Sequence, residues 1–202
     1  MSNSKSTIKK NRLIAGCGML TAAAVILQFI EVSIPIMPSF IKLDFSDLPA
    51  LLGAFAYGPV AGIIIELLKN LIHTPFGSSM WIGELSNFLL GAAFAGTAGF
   101  IYRKKKTRLG AFLGGLVGAL VMAAVCVPIN FWLVYPLYYS VLGFPEEAVL
   151  GMYQLILPSV KSIFEALLIF NLPFTFVKGL ISVAVSMLVY KPLSPLLKGK
   201  HI

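Results

Sequence analysis

Residues 48–72 read LPALLGAFAYGPVAGIIIELLKNLI, and the fold depends on how this apolar run is divided. As one continuous helix it would be about 37 Å long, which is enough to cross a membrane. Gly58 and Pro59 interrupt the run, and proline removes a helical hydrogen bond while glycine permits a turn. The run therefore forms either two short helices or one kinked helix followed by a re-entrant segment near Thr74–Ser79.

The composition of the whole chain is that of a membrane protein. Of its 202 residues, 58% are hydrophobic and 12% are charged, whereas soluble domains have roughly 45–50% apolar and about 25% charged residues. This excludes a disordered chain, a nucleic-acid-binding domain and an ordinary cytosolic enzyme. Further apolar runs predict spanning helices, with a mixed stretch over residues 137–172. These runs are Leu13–Ile30, Trp81–Tyr102, Leu109–Pro136 and Pro173–Tyr190.

The basic residues favour the division of the run into two short helices. The net charge is +8, and 12 of the 16 Lys and Arg residues lie in three acid-free clusters next to apolar runs, which is the pattern of cytoplasmic loops. All three clusters fall on one side only if residues 48–72 form two helices. The clusters are Lys5, Lys9, Lys10 and Arg12; Arg103, Lys104, Lys105, Lys106 and Arg108; and Lys191, Lys198 and Lys200.

We therefore expect an all-α membrane protein, a six-helix transmembrane bundle with both termini cytoplasmic and a single domain over residues 1–202. All eight acidic residues then lie on the outer side or within the membrane. Glu66 falls inside the third helix, where Lys69 and Asn70 are its expected partners.

Polar side chains inside apolar segments are costly and mark functional sites by default. Lys178 lies about two turns into the predicted last helix, on one stripe with Thr175 and Asn171. It either contacts a ligand or extends outward to the membrane surface. Three more candidates have hydrogen bonding between helices as their alternative role: Glu84, Asn87 and Asn130.

The loop before residue 48 contains two carboxylates with different expected roles. Asp44 lies outside the helix and is a candidate site residue. Asp47 or Ser46 is expected to cap the helix, with Pro49 in its first turn.

These groups, set among apolar walls, predict a pocket for a small molecule with an apolar body and several hydroxyl or carbonyl groups. Nearby aromatic residues fit a flat ring system or, equally, a membrane-interface belt: Phe40, Phe45, Trp81, Phe131, Trp132, Tyr135 and Tyr138. The sequence has no G-x-x-x-x-G-K-[ST] phosphate loop, and His73 and His201 lack ligand spacing, so no metal is expected. Cys17 and Cys126 are interpreted as small packing residues.

Five motifs carry a resemblance to a known family. They are LDFSDLPAL at residues 43–51, GPVAG at 58–62, KNL at 69–71, GELSNF at 83–88 and NF at 130–131 before PLY at 136–138. In these the chain resembles the riboflavin-binding S component of energy-coupling factor (ECF) vitamin transporters, from the first span to the last. The resemblance implies a six-helix protein of the bacterial plasma membrane that binds riboflavin from outside. It also implies delivery through a transmembrane coupling subunit and two ATPase subunits, without catalysis and with riboflavin as transported ligand, not as cofactor.

The resemblance also implies roles for individual residues. Leu43 and Asp44 belong to a gating first loop. The family's last helix usually reads Pro-Phe-Asn-x-x-Lys-Gly, whereas this chain has Thr175 in place of the Asn, with Asn171 one turn earlier. The residues expected to face the ligand are Glu84, Asn87, Asn130 and Lys178.

A second expected surface lies on the first helix. Gly18 and Ala22 are four residues apart, and small residues at this spacing permit close helix contact in lipid. Family members dock the coupling subunit through an Ala-x-x-x-Ala motif here, while the alternative is packing inside the bundle.

Three other functions compete with this interpretation. An S component for a different vitamin would share most of these features. An intramembrane enzyme would need a nucleophile and base in proximity, and the sequence suggests none. A structural membrane protein would not need Lys178 so deep.

Overall fold

The computed structural model describes residues 2–77 and 80–197, which form seven helical segments and one two-stranded ribbon. The strands β1 (Val32–Ser33) and β2 (Lys42–Leu43) pair antiparallel between the first two helices, with Val32 opposite Leu43. A short 3₁₀ turn, Thr74–Phe76, follows the third helix. The helices are α1 (Ser2–Gln28), α2 (Asp47–Tyr57), α3 (Pro59–His73), α4 (Ile82–Lys104), α5 (Arg108–Val141), α6 (Glu146–Gln154) and α7 (163–197).

The apolar run at residues 48–72 is divided at Gly58, as the charge pattern predicted. Gly58 has a φ of 104°, in the left-handed region that favours glycine. Pro59 is the first residue of α3, where its missing N–H leaves no helical bond unmade. Gly62 of α3 packs against Ala54 of α2, so the two helices form an antiparallel hairpin. The single kinked helix is wrong; of its re-entrant segment, Ser78 and Ser79 lie outside the described residues.

Within the described residues, four helical stretches are long and apolar enough to cross a membrane: Lys10–Gln28, Ile82–Lys104, Arg108–Val141 and Ile163–Val189. The hairpin helices α2 and α3 have 11 and 15 residues, fewer than the roughly 20 that span a bilayer. Large apolar side chains point outward from the bundle, as expected in lipid. Met19, Trp132 and Leu188, for example, are each more than 70% exposed.

Two helices contain a π-helical stretch of five residues, followed two positions later by a proline. Asn130–Val134 precedes Pro136 in α5, and Leu167–Asn171 precedes Pro173 in α7. The wider π turn leaves room for a proline ring that would clash with the carbonyl of a regular turn. The prediction that the last helix begins at Pro173 is therefore wrong. It begins at Ile163, because the π turn allows the helix to continue through the proline.

The hinge of the α2–α3 hairpin and the turn between α4 and α5 lie at one end of the bundle, which we call the hinge end. Gly99 of α4 packs against Pro59. The rings of Phe55 and Tyr102 pack with their centroids 4.8 Å apart. The basic cluster at residues 103–108 directly follows Tyr102 and therefore belongs to the hinge end.

Both terminal helices also have an end at the hinge end. Gly16 of α1 packs against Tyr57, next to the hinge. In α7, Gly179 packs on Ala119 and the later residue Val183 packs on Gly115, so α7 runs antiparallel to α5. The last helix thus runs toward the turn that carries residues 103–108; Lys198 and Lys200 lie outside the described residues. The opposite end, which holds the β-ribbon and the start of α4, is the loop end.

Candidate ligand-binding site

A cavity lies between the centre of the bundle and the loop end, bounded by the end of α1, the ribbon loop, α4, α5 and α7. Its volume is about 190 Å³, counted as the space open to the centre of a water-sized sphere. Leu43 is half-buried in β2 and is not among the described residues that line the cavity. The other seven residues predicted to bind a ligand all line it: Asp44, Glu84, Asn87, Asn130, Asn171, Thr175 and Lys178.

Lys178 is buried and points into the bundle. Its Nζ lies 2.9 Å from Asp44 Oδ2, 3.2 Å from Asp47 Oδ2 and 3.2 Å from Asn87 Oδ1. The contacts with Asp44 and Asn87 are hydrogen bonds, and the contact with Asp47 is an ion pair. Since α7 begins at Ile163, Lys178 lies about 22 Å along it, not two turns from its start. The alternative in which Lys178 extends outward is wrong.

A second lysine, Lys69 of α3, lies behind the first and is completely buried. Its Nζ is 2.6 Å from Asp47 Oδ1, 2.8 Å from Glu66 Oε2 and 2.7 Å from the Ser46 hydroxyl. The predicted Glu66–Lys69 pair is thereby confirmed. We call Asp44, Asp47, Glu66, Lys69 and Lys178 the buried charge cluster.

Ser46 lies at the N-cap of α2, one of the two predicted positions, but its side chain makes no capping hydrogen bond. Asp47 is the first residue of the helix and is not its cap. Asp47 instead binds Lys69 with one oxygen and Lys178 with the other. Local sequence favours a cap at this position, whereas the contacts with α3 and α7 depend on the tertiary fold.

Asp44 connects the first loop to this cluster. Its Oδ1 accepts a 2.8 Å hydrogen bond from the Ser46 N–H, and Oδ2 pairs with Lys178. Burial favours the neutral acid, but the Lys178 and Lys69 ammonium groups and the Ser46 hydrogen bond outweigh it, and the pKa of Asp44 lies below its usual range. An ionised Asp44 therefore ties the first loop to α7.

A chain of ionisable side chains lines the mouth of the cavity. His73 Nδ1, at the end of α3, lies 3.1 Å from Glu84 Oε1 at the start of α4. His73 Nε2 is 4.0 Å from Glu31 Oε1, and Glu31 Oε2 is 2.7 Å from Lys42 Nζ. The sequence suggested His73 only as a possible metal ligand and gave no signal for this position, because its partners Glu84 and Glu31 come from two other segments.

Asn130 and Thr175 meet at Cys126 on the cavity wall. Asn130 Nδ2 donates to the Cys126 carbonyl at 2.8 Å, and its Oδ1 accepts from Ser86 at 3.4 Å. Thr175 Oγ1 donates to Cys126 Sγ at 3.2 Å. Cys126 is buried, as predicted for a packing residue, but it also accepts hydrogen bonds from two candidate site residues.

Asn171 is held by two tyrosines. Tyr153 of α6 donates to Asn171 Oδ1 at 2.7 Å, and Asn171 Nδ2 lies 3.4 Å from the Tyr135 hydroxyl. The two hydroxyls also bond to each other. The short helix α6, which the sequence did not predict, therefore positions one wall of the cavity.

The aromatic candidates divide into two groups. Phe40, Tyr135 and Tyr138 line the cavity. The side chain of Trp132 is 74% exposed on the outer surface, which fits the membrane-interface alternative. Three more candidates are not among the described residues that line the cavity: Phe45, Trp81 and Phe131.

Gly18 and Ala22 are exposed on the outer face of α1. A side chain at Gly18 would meet nothing within 4 Å. Packing inside the bundle therefore does not account for the small residues at these two positions.

Comparison with known proteins identifies the class of protein that this fold and cavity define. The family model of the ECF transporter substrate-specific component matches residues 12–190, and the chain belongs to this family. A solved structure described as the S component of a bacterial ECF transporter superimposes with a TM-score of 0.73. It has 34% sequence identity, and the match covers 94% of this chain and 99% of that one.

Two similar relatives have more specific names. The riboflavin transporter RibU of Staphylococcus aureus is 34% identical over 194 residues, which are 96% of each chain. The riboflavin transporter FmnP of Bacillus subtilis is 28% identical over 180 residues, covering 88% of this chain and 89% of that protein.

Proposed function

We propose that this chain is the riboflavin-binding subunit of an ATP-driven ECF importer in a bacterial plasma membrane. It binds the vitamin from outside and performs no catalysis, with riboflavin as transported ligand, and residues 1–202 act as one substrate-binding domain. The observation that carries the proposal is the convergence of seven polar candidates on one cavity, with Lys178 at its floor.

The lining chemistry matches the two parts of riboflavin, an uncharged flat tricyclic ring and a polyhydroxyl ribityl chain. Phe40, Tyr135 and Tyr138 offer apolar faces to the ring. Lys178 and Thr175 donate hydrogen bonds to ring carbonyls and nitrogens. Carboxylate and amide groups satisfy the chain hydroxyls: Asp44, Glu84, Asn87, Asn130 and Asn171. Leu43, in the ribbon of the same loop as Asp44, belongs to the gate.

The direction of capture follows from the charges. Residues 103–108 and Arg12 flank the hinge end, and positive residues favour the cytoplasm. The cavity then opens toward the outside. The fold is a bundle of six membrane segments, α1 to α5 and α7, with both termini cytoplasmic and α6 in the outer layer.

Delivery requires a partner, because the chain has no phosphate-binding loop. Gly18 and Ala22 form an exposed face of small residues on α1, which permits close approach of another helix in lipid. We assign this face to a transmembrane coupling subunit, which in turn carries two ATPase subunits.

Uptake of radiolabelled riboflavin into cells that lack their own riboflavin transporter tests the proposal. Co-expression of this chain with an ECF coupling subunit and ATPases should give ATP-dependent uptake that unlabelled riboflavin suppresses. Lys178→Met is the control variant and should strongly reduce uptake at low riboflavin concentration. Uptake of another vitamin, with riboflavin neither imported nor competing, would instead favour an S component of different specificity.

A further inference from the structure

The buried charge cluster does not balance. It contains the carboxyl groups of Asp44, Asp47 and Glu66 but only two ammonium groups, on Lys69 and Lys178. Glu66, Lys69 and Asp47 have no solvent exposure. An uncompensated charge in so dry a site is strongly unfavourable, and carboxyl groups there take up a proton instead.

The contacts identify which carboxyl group is least stabilised as an anion. Each oxygen of Asp47 faces a lysine, and both oxygens of Asp44 are occupied by Ser46 and Lys178. Asp47 Oδ2 and both Glu66 oxygens lack a hydrogen bond among the described residues, but Asp47 Oδ2 and Glu66 Oε2 each have an ion pair with a lysine, whereas Glu66 Oε1 has neither. Lys69 is in turn shared with Asp47 and Ser46.

The helices around Glu66 supply no further positive charge among the described residues. On α4, Gly91 packs directly against the Glu66 carboxyl. On its own helix Asn70 uses its amide for the Glu66 carbonyl and for Gln28 of α1. The charged groups that face Glu66 are thus Lys69 on α3, Asp47 on α2 and Lys178 on α7.

We propose that Glu66 carries a proton at neutral pH and is a proton-binding site beside the ligand cavity, which keeps the buried charge cluster electrically neutral. With Glu66 neutral, two carboxylates face two ammonium groups. Ionisation of Glu66 would draw Lys69 away from Asp47 and Ser46. Because Ser46 and Asp47 contact Asp44 and Lys178, that shift would disturb the floor of the cavity.

Infrared spectroscopy of the purified protein in lipid at neutral pH tests the proposal. The C=O stretch of a protonated carboxyl group is separate from the amide bands and from ionised carboxylates. Glutamate labelled with ¹³C at the side-chain carboxyl should shift this band, which assigns it to Glu rather than Asp. The band should disappear in Glu66→Gln and persist in Glu84→Gln, the matched control at the cavity mouth.

Thermal unfolding provides a second readout. Glu66→Gln replaces a neutral acid by its neutral isostere and should unfold close to the wild-type temperature. Asp47→Asn makes the corresponding carboxyl-to-amide change in the residue that shares Lys69 with Glu66. It should unfold at a clearly lower temperature, because it leaves two buried lysines short of an anion.

Four results would overturn the proposal. They are the absence of a protonated glutamate band at neutral pH, persistence of the band in Glu66→Gln, failure of Glu66→Gln to fold, and sodium-dependent stability without such a band. The last would mean that a bound cation supplies the missing positive charge. None of these measurements requires riboflavin, so the proton site and the transported ligand are tested separately.

Discussion

The Lys178 ammonium has two hydrogen bonds and one further ion pair, so a ligand that binds it competes with these partners. Among the described residues, Asn87 is its one uncharged partner, at 3.2 Å, whereas Asp44 and Asp47 are carboxylates. Exchange of Asn87 for a ligand acceptor preserves both ion pairs. We therefore expect ligand binding to release the Asn87 amide, which then bonds the ligand in turn.

Replacement of Lys178 by methionine should weaken riboflavin binding by about 1.5–3 kcal/mol, roughly ten- to a hundredfold, because a charged donor is lost from a desolvated site. Flavin fluorescence quenching measures this directly. Asp44 and Asp47 would also lose a buried partner. We therefore expect a lower free energy of unfolding as well.

The double variant Lys178→Met/Asp44→Asn separates these two effects. It removes one charge of each sign and should recover part of the lost thermal stability while binding stays weak. Wild-type affinity in Lys178→Met would exclude the lysine from the site.

The two π-helical stretches affect the direction in which side chains point along their helices. A π turn holds one extra residue, which rotates the following side chains by about 100° relative to a regular helix. Asn130 begins one such stretch and Asn171 ends the other. The stretches therefore set how these amides are oriented relative to the rest of their helices, including Thr175 and Lys178.

Pro173→Ala should weaken riboflavin binding while leaving thermal stability equal or higher. Alanine favours a regular helix by about 3 kcal/mol over proline in a helix interior, and loss of the π turn would move Asn171 relative to Lys178. Binding titrations and thermal melts test this. Pro145→Ala, before α6 and outside the cavity lining, is the matched control and should bind normally; equal behaviour of the two variants would contradict the role of the π turn.

The sequence predicted the elements whose signals are local. Gly58-Pro59 identified the hairpin, and polar residues in apolar runs identified most of the cavity lining. The start of α7 and the helix α6 were missed, because proline usually ends a helix and residues 137–172 mix polar and apolar side chains. The Asp47–Lys69 and His73–Glu84 pairs join distant segments, so no local pattern reveals them.

The outer face of α1 is the proposed contact with the coupling subunit in the assembled transporter. Gly18→Leu or Ala22→Leu should abolish uptake while the purified protein still binds riboflavin, because a bulky side chain keeps a partner helix from approaching. Transport assays and binding titrations on the same variants check this. Met19→Ala, on the same exposed surface, removes bulk and should leave uptake intact. Loss of binding together with uptake would contradict the assignment.

Thiol labelling in intact cells tests the orientation of the whole bundle in the membrane. A cysteine at Pro145, near α6, should react with an impermeant reagent, and one at Lys106, in the α4–α5 turn, should be protected. Lys106 is chosen because its neighbour Thr107 caps α5 through Gly110. The parent chain, with Cys17 half-buried and Cys126 buried, sets the background. External labelling at position 106 would reverse the proposed topology.

The central claim is that the cavity binds riboflavin, and titration of riboflavin into the purified, folded protein tests it most directly. We predict saturable quenching of flavin fluorescence at one riboflavin per chain, strongly reduced in Lys178→Met and not competed by an excess of thiamine or biotin. Absence of quenching in a protein that melts cooperatively, or equal competition by these unrelated vitamins, would contradict the account.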